Sequence, residues 1–431
     1  MKVIRHSDAN FAGKLRDLTA ASSLFDPEIE QRTRAILDAV QVHGDAALLE
    51  FTQRFDGAKL AADRLVVTQA ELFNASLAAD ESLRAAVAEA EKNITAFAKK
   101  SLLKNWQMKN SHGATVGENF DPFQRVGVYI PGGKAPLVST ALMTITLAKA
   151  AGCPEIVACT PCGRDGSINP ALLFATRAAG ATEIYRVGGA QAIAAMACGT
   201  KTIRRVQKIF GPGNAYVVTA KRLLVGHVAI DLLPGPSELL VLADETTNPK
   251  FVAADLLAQA EHGSGHERVW LVTTADRILK AVEKEIAKQL PKLARREFIQ
   301  RVLQNNGWLI QVKSLDGGVA LANRLAPEHC EVMTRNPRQV AKGILTAGAI
   351  FLGPWSPTVL GDYVAGPSHT LPTGGAGVSF AGLTVDQFQR RTSMVEYNRA
   401  SLKKALPVVK KFAELEGLGA HGKSASIRLG R

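Results

Sequence analysis

The stretch Arg125-Val-Gly-Val-Tyr-Ile-Pro-Gly-Gly133 marks the point at which helical spacing gives way to alternating strands and helices. Val126 to Ile130 has the apolar composition of a buried strand, and the Pro-Gly-Gly that follows is typical of a tight turn. An apolar helix is expected next, from Val138 to Ala151. Strand, turn and helix in this order predict a βα unit whose strand is buried on both faces.

The same unit repeats along the chain and predicts two series of strands. The first series continues with the strands Glu155–Cys159, Glu183–Val187 and Lys208–Phe210, and with the helices Pro170–Ala179, Ala190–Ala197 and one ending near Leu224. The second series has strands near Leu239–Ala243, Val269–Thr273, Cys330–Met333 and Ala349–Leu352. Because such alternation builds parallel sheets covered by helices, we expect an α/β fold with two Rossmann-like parallel-sheet domains and small helical N- and C-terminal segments.

Length and composition agree with a globular protein of more than one domain. The chain has 431 residues, which exceeds the size at which single hydrophobic cores stop growing. Before the first strand series the pattern is mostly helical, with a helix opening at Pro27 and a long one from Asp80 to Lys100. No stretch approaches the roughly 20 apolar residues of a membrane span, so we expect no membrane partner.

Cysteine usage and charge suggest a compartment and exclude one class of partner. The five cysteines are odd in number and the start of the chain lacks a signal-peptide core, so we expect a cytoplasmic protein without disulfides. The net charge of +13 raises a nucleic-acid hypothesis. The basic pairs Arg390-Arg391 and Lys403-Lys404, however, lack the adjacent aromatic residues on which single strands stack. A solvated basic face is favoured, and no nucleic-acid partner is expected.

Three glycine-rich turns follow predicted strands, where open α/β sheets bind ligands. They are Tyr129-Ile-Pro-Gly-Gly133, Gly188-Gly-Ala-Gln191 and Gly211-Pro-Gly-Asn214. The last two precede helices whose N-terminal amides can face a phosphate, and Asn214 is a natural N-cap. None matches the G-x-G-x-x-G dinucleotide motif. Turn geometry and cofactor binding therefore remain equal explanations of these glycines.

A metal site is one of two interpretations of Gln259 and His262. If the helix runs from Asp255 to His262 and ends at Gly263, the two side chains share a face. An imidazole nitrogen and an amide oxygen can both bind zinc. The alternative is a structural role for His262 at the helix C-terminus, where the helix dipole favours it. The spacing of His262 and His266 is half of a metalloprotease motif, but the intervening glycines break the required helix.

Glu328 and His329 are the strongest acid–base candidates. Adjacent side chains on a strand point to opposite faces, so they share one site only if the chain bends there, as Pro327 permits. The alternative is a surface glutamate beside a half-buried histidine. Cys159 and Cys162 have redox spacing, but no second pair of that kind is present and a redox role is disfavoured.

Taken in order, further segments carry a family resemblance over the chain from about residue 25 to its end. They are Tyr129-Ile-Pro-Gly-Gly133, Gly188-Gly-Ala-Gln-Ala-Ile-Ala-Ala195, Ile209-Phe-Gly-Pro-Gly-Asn-Ala-Tyr216, Pro234-Gly-Pro-Ser-Glu238, Gln259-Ala-Glu-His-Gly263, Ala326-Pro-Glu-His329, Gly361-Asp-Tyr363, His369-Thr-Leu-Pro-Thr373 and Glu416-Gly-Leu-Gly-Ala-His421. Together they resemble the histidinol dehydrogenase family.

The resemblance implies a site made of residues far apart in the chain. It implies that one zinc ion per subunit is bound by Gln259, His262, Asp362 and His421. It implies that Glu328 and His329 form the catalytic acid–base pair. Substrate contacts would come from Ser237, His369 and Glu416, together with His329 and the four metal ligands, and NAD contacts from Tyr129, Gln191 and Asn214.

The resemblance also implies an activity and an assembly. The activity is the zinc- and NAD-dependent four-electron oxidation of L-histidinol through L-histidinal to L-histidine, in the final steps of histidine biosynthesis. The assembly is a homodimer with shared active sites, in which the terminal segments mediate dimerisation and the C-terminal segment crosses to the partner. A dehydrogenase of the same family acting on another small alcohol is one alternative. A zinc hydrolase is the other, and it would have no need of the NAD residues.

The expected domain organisation has four parts. Residues 1–25 form an N-terminal arm, and residues 26–122 together with 238–380 form a larger α/β domain that carries the metal and acid–base residues. Residues 123–237 form an NAD-binding α/β domain, and residues 381–431 form the C-terminal segment that crosses to the partner subunit.

Overall fold

The computed structural model describes residues 1–18, 25–132, 136–262 and 264–430. The strands are β1 (Lys2–Arg5), β2 (Trp106–Lys109), β3 (Thr115–Pro122), β4 (Arg125–Tyr129), β5 (Glu155–Thr160), β6 (Glu183–Arg186), β7 (Lys208–Phe210), β8 (Ala229–Ile230), β9 (Glu238–Ala243), β10 (Arg268–Thr273), β11 (Gly307–Gln311), β12 (His329–Met333), β13 (Ala349–Leu352) and β14 (Gln389–Glu396). The helices are α1 (Phe11–Asp17), α2 (Pro27–His43), α3 (Asp45–Asp56), α4 (Gln69–Ala78), α5 (Glu81–Ser101), α6 (Val138–Ala151), α7 (Pro170–Ala179), α8 (Gly189–Cys198), α9 (Ala215–Leu223), α10 (Pro249–Ala260), α11 (Asp276–Gln289), α12 (Arg296–Asn306), α13 (Leu315–Leu325), α14 (Pro337–Ala341), α15 (Val359–Tyr363), α16 (Arg399–Leu415) and α17 (Gly419–Ile427).

A six-stranded parallel sheet has the strand order β1-β11-β10-β9-β12-β13. Alternate residues of β9 face opposite sides, so Leu239 and Val241 pack with α10 while Leu240 and Leu242 pack with α13. The sheet is therefore buried on both faces, as the apolar strands predict. The N-terminal segment differs from the prediction of a helical arm, because it begins with β1 at the sheet edge, paired with β11.

A five-stranded parallel sheet has the order β6-β5-β4-β7-β8. The strand order reverses between β4 and β7, which is the position where ligands bind at the carboxyl ends of strands in open α/β sheets. Helices α2 to α5 pack on this sheet, since their buried side chains lie in its hydrophobic clusters. This packing differs from the predicted grouping of residues 26–122 with the other sheet. The domain boundaries themselves stay a prediction.

A third sheet is antiparallel, with the order β14-β3-β2. The sequence did not predict it. β2 and β14 are largely exposed and β3 is mostly half-buried. Because β14 pairs with β3 over a long separation in sequence, no local alternation marks these strands. Phe388, just before β14, stacks on Phe210 of β7 at a ring-centroid distance of 3.8 Å and ties this segment to the five-stranded sheet.

The tail consists of α16 and α17, which pack chiefly on each other. Apolar side chains on both helices face outward, among them Phe412, Leu415 and Ile427. Within the described residues, no helix combines the length and the apolarity that a membrane span requires.

Candidate active site

Glu328 and His329 lie at the amino-terminal edge of the six-stranded sheet. Helix α13 ends at Leu325, and its C-cap residue Ala326 has a left-handed backbone with φ of 45° although it carries a side chain. Pro327 then leads the chain into β12, which begins at His329. This turn brings Glu328 Oε2 to 3.5 Å from His329 Nδ1. The bend expected at Pro327 is therefore present. The left-handed backbone of Ala326 is strained, and interactions elsewhere in the fold must offset its energetic cost.

The carboxylate of Glu328 is held by two donors from the adjacent strand. Its Oε2 accepts a hydrogen bond from Ser237 Oγ and one from the backbone N–H of Glu238 at 2.8 Å. The side chain is buried, and burial raises the pKa of Glu328 to about 7, against the lowering effect of these two hydrogen bonds. A carboxyl with such a pKa can take up and release a proton near neutrality.

One hydrogen bond orients the ring of His329. Its Nδ1 lies 2.9 Å from the backbone carbonyl of Glu238, which can only accept, so Nδ1 carries the proton. The other ring nitrogen, Nε2, is left with its lone pair and lies 3.9 Å from Asp362 Oδ1. Burial lowers the pKa of His329 against the raising effect of Asp362, which favours the neutral ring.

Asp362 and His369 complete the described cluster. His369 Nδ1 donates to the backbone carbonyl of Asp362 at 3.1 Å and lies 3.9 Å from its carboxylate. Its Nε2 is 3.5 Å from Thr140 Oγ1 on α6, a helix of the five-stranded sheet. The site therefore lies where the layers of the two parallel sheets meet.

Gln259 and His262 are at the end of α10, close to this cluster. The helix ends at Ala260, so His262 lies in the following turn and not on the helix as expected, and Gly263 is outside the described residues. His262 is near enough to influence the charge of both Glu328 and His369. Gln259 is buried, yet its Nε2 has no hydrogen-bond partner in the described chain. Because amide oxygen and nitrogen are interchangeable by a flip, this unsatisfied group fits a metal ligand.

The structure does not bring the two predicted tail residues to the site. Glu416, which follows α16, and His421 on α17 are exposed, and neither side chain makes a hydrogen bond or ion pair within the described parts of the chain. Among the described residues, no group of three or more His, Cys, Asp or Glu side chains is arranged to hold a metal.

A cleft of about 1390 Å³ opens beside the switch point of the five-stranded sheet. All three predicted NAD contacts line it, namely Tyr129, Gln191 and Asn214. Tyr129 accepts a hydrogen bond from the N–H of Gly189 at 3.0 Å, and burial raises its pKa. Gln191 Oε1 is buried without a partner among the described residues, so a polar group of a ligand can satisfy it.

At two of the glycines near the cleft, neighbouring atoms leave no room for a side chain. A Cβ on Gly211, whose φ is 109°, would lie 2.2 Å from the Tyr129 carbonyl oxygen. A Cβ on Gly188 would lie 2.5 Å from Pro161 Cβ. Asn214 caps α9 by accepting from the N–H groups of Tyr216 and Val217 at 3.0 and 3.2 Å, as expected of an N-cap. Turn geometry and a ligand cleft therefore coexist here.

The cysteine pair is unsuited to redox chemistry. Cys159 and Cys162 are free thiols, and burial raises their pKa to about 12 and about 11. Since the thiolate is the reactive form, both are inert near neutral pH. The raised pKa values are consistent with the prediction that a redox role is disfavoured.

Glu238 is the functional residue that sequence reasoning passed over. Its backbone holds both Glu328 and His329, and its buried side chain accepts from Gly374 N–H at 3.1 Å and faces Arg268 at 3.7 Å. Burial raises its pKa to about 8. The sequence feature that could have pointed to Glu238 is its position directly after Ser237, at the end of the Pro234-Gly-Pro-Ser-Glu238 segment.

Fold and site together define an α/β protein with a buried Glu–His pair at the junction of two parallel-sheet layers and a large cleft beside the five-stranded sheet. A family model described as histidinol dehydrogenase matches residues 20–429. The chain belongs to the histidinol dehydrogenase family, and it is an oxidoreductase.

Individual relatives agree over nearly the full length. The chain is 44% identical to a histidinol dehydrogenase of Heliobacterium mobile, over 94% of this chain and 95% of that one. It is 44% identical to one of Geobacillus kaustophilus, over 93% and 94% of the two chains. The crystal structure of histidinol dehydrogenase from Elizabethkingia anophelis matches with a TM-score of 0.94 and 35% identity, covering 100% of this chain and 98% of that chain.

Proposed function

We propose that this enzyme carries out the zinc- and NAD-dependent four-electron oxidation of L-histidinol through L-histidinal to L-histidine, in histidine biosynthesis. The observation that carries the proposal is the shared anchoring of Glu328 and His329 on the backbone of Glu238. It keeps a carboxylate and a neutral imidazole side by side, which are the two bases that an alcohol oxidation followed by an aldehyde oxidation requires.

The residues proposed to hold zinc are Gln259, His262 and Asp362 of one chain with His421 of the partner subunit. The unpartnered Gln259 amide and the adjacent His262 and Asp362 side chains support this set. Nitrogen and oxygen donors of this kind suit zinc. When bound, zinc supplies a centre that holds the amine and imidazole nitrogens of the substrate, and NAD supplies the acceptor for each hydride.

His329 serves the first oxidation. Its Nε2 takes the proton of the substrate hydroxyl as the hydride leaves the same carbon, so that a C=O bond replaces the O–H and C–H bonds. The backbone carbonyl of Glu238 fixes the ring, and its hydrogen bond stabilises the imidazolium that forms. Burial keeps the ring neutral beforehand and therefore ready to accept the proton.

Glu328 serves the second oxidation. Its carboxylate takes a proton from water as the water oxygen attacks the aldehyde carbon, which leaves the hydrate as an anion. The C–H bond of this anion then gives up the second hydride to the acceptor, and the carboxylic acid that forms loses a proton to solvent to become the carboxylate product. The pKa of about 7 matches this task at neutral pH. Ser237 donates to the same carboxylate oxygen and orients it, in addition to the substrate contact proposed for it.

The cleft supports the proposed NAD site. It has room for a dinucleotide, and the amino end of α9 faces it with the cap residue Asn214 at the rim. His369, which meets α6 through Thr140, is proposed to contact the substrate between the cleft layer and the metal layer. Glu416 is proposed to do so from the partner subunit.

The homodimer is proposed on two observations. The outward apolar side chains of α16 and α17 lack a cover among the described residues, and His421 lies on that same tail. A tail that crosses to a second copy would bury those side chains and deliver His421 and Glu416 together. The free thiols support a reducing, cytoplasmic compartment for this assembly.

Counting the NADH formed from each histidinol, with and without a chelator, tests the proposal. We expect two NADH per substrate, because each hydride carries two electrons, and loss of turnover after zinc removal. One NADH per substrate would contradict the four-electron reaction. No NADH with histidinol, but NADH with another amino alcohol, would favour the family relative with a different substrate. If no alcohol gives NADH, the alternative of a zinc hydrolase would be favoured.

A further inference from the structure

A lysine and an aspartate are buried together against the glycine-rich turn Gly211-Pro-Gly-Asn214. Lys221 lies on α9, and Asp231 directly follows β8. The two side chains form an ion pair in which neither is exposed to solvent. Burying two charges costs desolvation energy, and replacing such a pair by apolar residues is often neutral or stabilising. Stability alone therefore does not explain why charged residues occupy these two positions.

The ammonium group of Lys221 has an acceptor for each of its three N–H bonds. Nζ donates to the carboxylate of Asp231, to the backbone carbonyl of Gly211 at 3.0 Å and to that of Leu232 at 2.8 Å. Because an ammonium group has three donors, this set is complete. A side chain without the ammonium would leave buried acceptors unpaired, which is costly.

The pair holds the backbone of Gly211 at both its N–H and its carbonyl. The N–H donates to Asp231 Oδ2 at 2.8 Å, while the carbonyl accepts from Lys221. The φ of 109° at Gly211 is a conformation that requires glycine, and these contacts hold it in place. Since Gly211 directly follows β7, the pair determines the direction in which the turn leaves the sheet.

The turn ends at Asn214, whose side chain has two polar atoms with separate tasks. Its Oδ1 caps α9 by accepting from the N–H groups of Tyr216 and Val217. No hydrogen bond from its Nδ2 is present among the described residues, and Asn214 lines the cleft. An amide nitrogen is a donor, so it suits a phosphate or carbonyl oxygen of a dinucleotide.

We propose that Lys221 and Asp231 form a positioning ion pair, which fixes the Gly211-Pro-Gly-Asn214 turn so that Asn214 presents its amide nitrogen to the dinucleotide cofactor. The inference rests on the proposed NAD site and adds the residues that set its geometry. Both side chains are fully buried and neither lines the cleft, so the pair acts on the cofactor only through the turn.

Calorimetric titration of the full-length protein with NAD tests the pair without reference to turnover. Asp231→Asn keeps the shape of the side chain but removes the charge that pairs with Lys221. We expect NAD to bind at least about tenfold more weakly, because a hydrogen bond to a charged group contributes free energy of that order.

Combining Asp231→Asn with Asn214→Ala separates positioning from a general loss of order. If the pair acts through Asn214, the double variant should bind NAD about as weakly as Asn214→Ala alone, because the same contact is already lost. Two independent losses of affinity would instead multiply. Multiplied losses in the double variant would therefore contradict the positioning role.

The matched control is Glu183→Gln, which alters an ion pair at the amino edge of the same sheet, away from the cleft. Glu183 opens β6 and accepts from the buried Arg125 side chain, which opens β4, at 2.6 and 2.7 Å. Neither residue lines the cleft. The variant should lower the free energy of unfolding and leave NAD affinity unchanged. An equal loss of NAD affinity in this control would overturn a specific role for the Lys221–Asp231 pair.

If Asp231→Asn does not fold, the double variant Lys221→Met/Asp231→Asn replaces it. This variant removes both charges of the pair, and the Asn oxygen can still accept from the N–H of Gly211, whereas the Gly211 carbonyl loses its donor. NAD binding weakened by about tenfold or more would support the proposal.

The outcomes distinguish failure of the pair from failure of the proposed NAD site. Unchanged NAD affinity in Asp231→Asn, or in the variant that replaces it, refutes the inference, and the NAD site stands if Asn214→Ala weakens binding. Weaker binding in Asp231→Asn but not in Asn214→Ala also overturns the inference, because the pair then does not act through Asn214. Absence of NAD binding by the unchanged protein refutes the proposed NAD site and, with it, the inference.

Discussion

At the scale of single residues, Glu238 uses its main chain for one purpose and its side chain for another. The N–H holds Glu328 and the carbonyl holds His329, so one peptide segment sets the distance between two bases. The carboxyl reaches Gly374 and Arg268 and fixes the strand end itself. A substitution there would disturb both bases at once, whereas substitution of either base leaves the other anchored.

Glu328→Gln should therefore separate the two oxidations. The amide keeps its oxygen for Ser237 and Glu238 but cannot take a proton, so we expect aldehyde oxidation to slow by about a hundredfold or more. Alcohol oxidation, which relies on His329, should change far less. Single-turnover measurements that start from histidinol and from histidinal distinguish the steps, and equal loss in both would contradict the assigned role.

The same carboxyl predicts the pH dependence of the second step. With a pKa of about 7, Glu328 is protonated and inactive as a base at lower pH. The rate of aldehyde oxidation should rise through pH 7, and in the Glu328→Gln variant this rise should be absent.

At the scale of elements, helix ends determine where the ligands meet. The carboxyl end of α10 and the start of β12 lie at one edge of the six-stranded sheet, and the amino end of α9 lies beside the cleft. The acid–base site is thus at the amino edge of one parallel sheet, while the cleft follows the carboxyl edge of the other. The rule that ligands bind at carboxyl ends describes only the cleft.

Asn214→Ala should weaken both the helix and the cleft. Loss of the cap on α9 removes two hydrogen bonds, and we expect the free energy of unfolding to fall by about 1 kcal/mol. NAD affinity, measured by calorimetric titration, should fall as well. Asn248→Ala is the control, because Asn248 caps α10 away from the cleft and its loss should lower stability alone. Equal NAD affinity in both variants would argue against Asn214 as a contact.

At the scale of the whole molecule, the tail that carries His421, a proposed zinc ligand, lies apart from the rest of the proposed site. The cluster around Asp362 has no contribution from α16 or α17 in the described residues, and the tail's apolar side chains face outward. These two facts have one explanation if the tail of one subunit completes the site of another. The dimer then becomes a requirement for catalysis and not only a stabilising contact.

Mixing inactive variants tests the crossed tail. After subunit exchange, Glu328→Gln and His421→Ala should form heterodimers in which one of the two sites is intact, so about a quarter of all sites should regain aldehyde oxidation, the step that Glu328→Gln loses. As a control, Glu328→Gln mixed with the double variant Glu328→Gln/His421→Ala should regain none. If the first mixture also stays inactive although subunits exchange, each site uses its own tail.

Local sequence patterns predicted the helices and strands whose runs of apolar residues mark them as buried. The strand β7 and the helices α6 and α7 have the bounds expected from the sequence, because apolar runs and the turns that end them are local. β1 and the antiparallel sheet were missed for the opposite reason. β14 is polar and pairs with β3, and only the long-range pairing makes either a strand.

Taken by itself, the sequence determined the residue types of the site and the alternation that builds two parallel sheets. Its ordered motifs also predicted the family, which the family model confirms. Only the tertiary structure decided that Glu328 and His329 share one anchor, because the His329 contact with Glu238 joins positions 91 residues apart. Strand order sets such contacts, and no local periodicity encodes strand order.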